Sequence, residues 1–217
     1  MYQPAHFAET RNEVLHAFIT QHPLGTLITA NTNGELQANP IPFVVDATPQ
    51  GHGILRGHVA RANPVWRETR TEVPALVVFQ GPQTYISPSW YPSKGATGKV
   101  VPTWNYVVVQ ARGPLRAVDD ATWLRAFVER LTKRFESPRA VPWQVSDAPA
   151  DYIDAMLRAI VGIEIELTSL VGKWKVSQNR STADREGVVA GLHELAERGG
   201  DAQAAAMAEL VASWQRR

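Results

Sequence analysis

The chain has 217 residues and a net charge of +1, with 44% hydrophobic and 20% charged residues, the composition of a folded protein rather than a disordered one. It contains no cysteine, which excludes disulfides, thiolate metal sites and cysteine nucleophiles. The near-neutral charge offers no broad attraction to nucleic acid, so DNA binding would need a local basic patch.

No apolar run approaches the roughly 20 residues of a membrane-spanning helix, so no membrane association is expected. MYQPAHFAETRNE lacks the basic-then-apolar order of a signal peptide. Together with the missing cysteines, this makes a cytoplasmic location the expectation.

Thr10 to Gln21 reads as a first helix, with Thr10 and Glu13 at capping-box spacing and Val14, Leu15, Phe18 and Ile19 on one face. His22-Pro23 ends it. LGTLITA and ELQANPIPFVVD then read as strands around Asn33-Gly34, a pair suited to the positive φ angles of a tight hairpin. GILRGHV (53–59) is a third strand. ALVVFQ (75–80) and QTYI (83–86) are two more, separated by a Gly81-Pro82 turn. NYVVVQARGPLRAV (105–118) is long enough to bend at Gly113-Pro114.

Asp119 or Asp120 caps a helix whose buried stripe holds Trp123, Leu124, Phe127, Val128 and Leu131. A proline-rich loop with Trp143 leads to a short helix near 150–159. VGIEIELTSLVG (161–172) alternates as a strand with one wet face. Ser181 and Asp201 cap two last helices, divided by Gly199-Gly200. About six antiparallel strands with helices between some of them predict an α+β protein, mainly antiparallel, built as a β-barrel with peripheral helices.

Three stretches carry candidate chemistry. In GHVARANPVW (57–66), Asn63 and Pro64 suit a helix start whose free amides favour an anion. Arg61 can fork onto a phosphate, and His58 and Arg56 are further donors. The alternative is that Asn63 only caps the helix and Arg61 is solvated.

In residues 83–109, Tyr85, Trp90, Tyr91, Trp104 and Tyr106 surround a Ser/Pro/Gly loop with Lys94 and Lys99. Such rings and lysines suit a flat ring such as a flavin and its phosphate; in a generic protein a satellite core or subunit interface is the commoner outcome. In GKWKVSQNRSTAD (172–184), Lys173, Lys175 and Arg180 alternate with Trp174, Ser177, Gln178 and Asn179 before a helix start. This segment reads as a ligand loop or as an exposed basic one. GxGxxG, P-loop, HExxH and G-x-S-x-G motifs are missing, and the six histidines show no metal-ligand spacing.

Taken in order, MYQPAHF (1–7), HPLGTL (22–27), GHVARANPVW (57–66), VFQGPQTYISPSWY (78–91), VPTWNY (101–106) and GKWKVSQNR (172–180) resemble the PaiB-type proteins. These are described as FMN-binding negative transcriptional regulators. The resemblance implies an FMN-binding split β-barrel, related in fold to pyridoxamine-phosphate oxidases, over 1–180. It implies a homodimer with FMN at the interface and a helical extension, 181–217, packed on the same unit.

Carried onto this chain, His58, Arg61 and Asn63 become phosphate-side or ring-edge residues. Trp104 and Asn105 lie near the isoalloxazine, and Lys173, Ser177, Gln178 and Asn179 close the site. The implied function is negative transcriptional regulation, direct on DNA or through a regulatory partner protein. The alternatives are an FMN-dependent oxidoreductase using a reduced nicotinamide and, more remotely, a haem-binding relative with His6 or His58 as axial ligand.

Overall fold

A computed structural model describes residues 1–214. In chain order the first elements are β1 (Ala8–Glu9), α1 (Asn12–Gln21), β2 (Leu24–Ala30), β3 (Leu36–Pro42), β4 (Val44–Asp46), β5 (Ile54–Ala60), α2 (Val65–Glu68) and β6 (Ala75–Ile86). Then come α3 (Ser93–Thr97), β7 (Thr103–Gly113), β8 (Leu115–Val118), α4 (Ala121–Glu136) and α5 (Ala150–Arg158). The last are β9 (Ile160–Glu166), β10 (Ser169–Lys175), α6 (Thr182–Gly199) and α7 (Ala202–Ser213). The chain is α+β with antiparallel pairing, as its sequence predicts.

These elements form two compact units. The first gathers residues 1–15, 80–109 and 171 onward; the second gathers 16–79 and 110–170. In the second unit β4, β5, β9 and β8 lie side by side in that order, and β2 pairs with both β3 and β6. Leu55 and Val59 of β5 alternate with Arg56 and His58. The apolar set joins Leu27, Ile41, Phe43, Phe79, Ile163 and Ile165 in a buried core, where Phe43 and Phe79 meet edge to face at 5.9 Å. The other face of β5 and β9 carries ion pairs and the rings of α4. Leu124 of α4 joins Val145, Ile153 and Leu157 in a separate cluster.

In the first unit the strands run β1, β10, β7, β6. Leu15 and Trp174 pack at Gly172, and the helices α6 and α7 bury Val188, Leu192, Met207 and Val211. Trp90, on a short 3-10 turn, lies against Gly187 and Gly191 of α6.

Several boundaries differ from expectation for identifiable reasons. Helix α1 begins at Asn12, and the amides of Thr10 and Arg11 donate to the Glu9 carboxylate, each at 3.0 Å. The β2–β3 connection is five residues long rather than a two-residue turn, since Ala30 pairs with Leu36. Asn31 organises it by accepting from the amides of Asn33 and Glu35, and of the Asn-Gly pair only Gly34 takes positive φ.

Two stretches predicted as single strands each divide between sheets, at Phe43 and at 167–168. Strand β9 has no wet face up to Ile165, because Glu164 is buried in ion pairs. Conversely, Gly81-Pro82 does not turn the chain. β6 runs through it, and the buried positions shift from 75, 77 and 79 to 84 and 86, a slip in the pleat. Gly113 marks the bend between β7 and β8. A Cβ there would meet the Glu166 carbonyl oxygen at 1.9 Å, so only glycine fits. Asp120, Ser181 and Asp201 cap their helices as expected.

Candidate functional site

The candidate residues fall in both units. His58, Arg61 and Asn63 belong to the second; Trp104, Asn105, Lys173, Ser177, Gln178 and Asn179 belong to the first.

In the second unit, strand alternation turns His58 to the same side as Arg56, where its ring meets Phe127 of α4 edge to face at 5.8 Å. Burial pushes the imidazole below its ordinary pKa, and its Nδ1 is buried without a hydrogen-bond partner. Arg61 closes the strand end. Its guanidinium donates to both Asp119 oxygens (2.8 and 2.6 Å) and to the carbonyls of Arg158 and Ile160 (2.7 and 3.1 Å). The bond to Asp119 raises Arg61 and lowers Asp119.

Asn63 accepts from the Val65 amide at 3.0 Å and donates to Asn39 at 2.9 Å. The helix it opens has only four residues, too few to aim a dipole at a ligand. Arg61 and Asn63 are therefore already satisfied by protein groups. The second unit also pairs Arg56 with Asp46 and Glu164, Arg116 with Glu164, Arg130 with Asp46 and Arg125 with Asp154.

The first unit brings its candidates together on two opposite faces of β7 and β10. On the inner face Asn105, only 1% exposed, donates to Ser177 Oγ at 2.9 Å. Ser177 follows directly after the β10 turn with φ of 63°, a left-handed conformation unusual for a residue with a side chain. Gln178 clamps the same turn, accepting from the Val176 amide at 2.7 Å and donating to the Trp174 carbonyl at 2.5 Å. Asn105, Ser177 and Gln178 thus fix the shape of the loop, while Asn179 is exposed beyond it.

On the outer face, period-two alternation aligns Trp104 with Tyr106 and Lys173 with Lys175. The ammonium groups lie 5.4 and 5.9 Å from the centre of the Tyr106 ring, and Tyr85 meets Trp104 edge to face at 6.3 Å. Trp104 is 54% and Tyr85 45% exposed.

Lys173 is covered by Tyr2, donating to its carbonyl at 3.1 Å under its ring. Lys175 donates to Thr103 Oγ1 and, at 2.7 Å, to the Trp104 carbonyl. Among the described residues neither lysine has a carboxylate partner. Burial lowers the pKa of Lys175, and the charges of Lys173 and Arg180 lower it further. Arg180 stacks over Tyr91 at 4.7 Å, and Asp184 accepts from the Ser93 amide and hydroxyl at 3.1 and 3.0 Å.

Lys175 and Tyr106 lie within the motifs but outside the residues that the family resemblance implies. The signal that finds them is simple: on a strand, the residues two along from Lys173 and Trp104 share their face.

Residues 1–169 match the family model described as "Putative FMN-binding domain". An uncharacterized protein of Emericella nidulans is 38% identical, with 90% of this chain and 91% of that protein covered. The Bacillus subtilis protease synthase and sporulation protein PAI 2 is 31% identical, with 87% of each covered. Among solved structures, the FAD and heme binding protein of Mycobacterium smegmatis superposes with a TM-score of 0.57 at 18% identity, covering 85% of this chain and 80% of that one. No helix among the described residues is long and apolar enough to cross a membrane. The chain belongs to the FMN-binding family that includes the PaiB-type protein of Bacillus subtilis, and its fold is the family's split β-barrel.

Proposed function

We propose that this chain is a homodimeric flavoprotein of negative transcriptional regulation, and that FMN binds on the outer face of the first unit. One observation carries the proposed site: two ammonium groups without carboxylate partners lie over the half-buried Tyr106 ring, on the strand face that also carries exposed Trp104. The donor set fits the ligand. Trp104 and Tyr85 offer flat surface to an isoalloxazine, and the lysines offer charge to an anionic ligand.

Trp104 and Lys175 make the contacts in this reading, and Lys173 adds its charge from beneath Tyr2. Asn105, Ser177 and Gln178 hold the loop that positions Lys175, with Asn179 at its rim. His58, Arg61 and Asn63 serve the second unit's own structure. Bound FMN would supply reversible two-electron chemistry, the protein placement and electrostatics. The exposed rings of Trp104 and Tyr85 are also a patch that a second copy of the chain would cover.

The regulatory role draws its support from the Bacillus subtilis relative, whose name ties it to protease synthesis and sporulation. With a net charge of +1, action through a metabolite or partner protein is favoured over broad contact with DNA. Titrating the purified protein with FMN and with riboflavin, while following the visible spectrum and fluorescence, tests the site. FMN should bind with quenched fluorescence and riboflavin more weakly; no binding of either would end the flavin reading. A gel shift on the protein's own promoter region separates direct from indirect regulation.

A second reading, an FMN-dependent oxidoreductase, is favoured by the fold shared with a FAD and heme binding protein. Anaerobic NADH or NADPH should then bleach the flavin band. A band that persists with both donors would leave the regulatory reading alone.

A further inference from the structure

Lys175 differs from the other basic groups near the rings. Its ammonium has three donors, and two of them go to Thr103 Oγ1 and the Trp104 carbonyl. The third has no protein partner among the described residues. The side chain is held by these two bonds beside Tyr106, so its charge is fixed in place rather than free on a long stem. Lys173 adds a second positive charge on the same ring, and the first unit places no carboxylate against either lysine among the described residues. Burial and its two cationic neighbours make the charged form of Lys175 costly. Such a group gains most from a ligand that brings negative charge.

FMN carries negative charge in two places that behave differently. Its phosphate is charged in both redox states. Its ring system becomes negative only on reduction, when two electrons and one proton arrive. A reduced nicotinamide delivers these as a hydride and leaves oxidised. With the isoalloxazine on Trp104 and Tyr85, as proposed, lysines on the same face would lie nearer the ring system than the phosphate.

We propose that Lys175, backed by the charge of Lys173, selectively stabilises the reduced, anionic form of the bound flavin. This rests on flavin binding at this face. The consequence is thermodynamic: the protein binds reduced FMN more tightly than oxidised FMN and raises its midpoint potential.

The test compares the FMN-loaded wild type with Lys175→Gln, Lys175→Met and Lys175→Arg, and with Lys133→Met on α4 as a control for net charge. Oxidised FMN affinity is read by fluorescence quenching. The midpoint potential is read by anaerobic dithionite titration against a reference dye, the dithionite leaving as sulfite. Lys175→Gln and Lys175→Met should weaken reduced FMN roughly tenfold more than they weaken oxidised FMN, a midpoint lower by about 30 mV for a two-electron couple. Lys175→Arg should keep the wild-type potential, as should Lys133→Met.

Equal loss of affinity for both redox states would place Lys175 at the phosphate and overturn the proposal, as would no change in either quantity. Circular dichroism melts identify a variant that fails to fold; Lys175→Gln retains a donor for the Trp104 carbonyl and serves if Lys175→Met fails. Absence of FMN binding in the wild type would instead remove the flavin reading itself, and the proposal with it.

Discussion

Two groups of cations, one in each unit, are held in opposite ways. In the second unit, the guanidinium groups of Arg56, Arg61, Arg116, Arg125 and Arg130 each meet a carboxylate, and Glu164 is nearly enclosed between two of them. In the first, Lys173 and Lys175 lie on aromatic rings and carbonyl oxygens instead. The residue types differ to match. A planar guanidinium suits paired carboxylate bonds, and a compact ammonium suits a site left open for a partner. Paired charges fix a fold; the proposed flavin site relies on cations that lack a carboxylate.

The largest effect expected from this contrast is at Glu164. Burial alone would raise its pKa, but the bonds from Arg56 and Arg116 hold it below the usual carboxylate range. Glu164→Ala leaves Arg56 sharing only Asp46 and deprives the Trp123 indole of its acceptor. Breaking a buried pair of this kind costs about 3 kcal/mol. For a chain of this size that lowers Tm by about 6–12 °C. Lys175→Met should leave the melting curve of the ligand-free protein close to wild type. Equal losses in both variants would erase the distinction between the units.

A second test concerns how α4 is seated over the charged face. A Cβ on Gly162 would lie 2.3 Å from Trp123 Cζ3, and Trp123 stacks on Phe127 at 5.2 Å. Gly162→Ala should displace the indole and cost about 1–3 kcal/mol as an overpacked site. Thermal melting reads the loss. Flavin affinity should not follow it, since no proposed flavin contact lies in the second unit.

Flavin affinity itself sharpens the contrast. Losing a stacking ring costs about 1.5 kcal/mol, so Trp104→Ala should weaken FMN binding roughly tenfold. Arg61→Ala removes an ion pair that is open to solvent and contributes little to stability, and should leave FMN affinity nearly unchanged. If Arg61→Ala instead abolishes FMN binding, Arg61 leaves Asp119 for the phosphate, and the placement of the flavin on the first unit falls.

Local signals in the sequence were reliable, and signals depending on distant partners were not. Asp120, Ser181 and Asp201 each satisfy amides two or three residues away, so their capping roles are visible in a short window. Strand β5 and the bend at Gly113 are equally local. By contrast, Arg61 is decided by Asp119, 58 positions along, and by two carbonyls near 160. No feature of GHVARANPVW announces that pairing. The split of 35–46 between β3 and β4 depends on which sheet receives each half, again a non-local choice. The site was legible as a set of motifs, because aromatic and basic residues cluster in sequence. Its two faces emerged only once β7 and β10 lay side by side, putting Asn105 inward against Ser177 and Tyr106 outward against Lys175.

The smallest expected effect concerns His58, the one candidate in the second unit with a buried atom lacking a partner. Burial lowers its pKa in the folded chain, so between that value and the ordinary value near 6.5 the unfolded chain binds more protons than the folded one. Stability then falls as pH drops from about 7 through this window. His58→Gln should flatten part of that decline below about pH 7, leaving the share contributed by His22, whose pKa burial also lowers. Melting temperatures taken across the window read the difference. If His58→Gln follows the wild-type slope unchanged, the imidazole reaches a proton acceptor or solvent when it charges. If the slope reverses, the ring is charged in the fold, and the second unit holds an unpaired cation of its own.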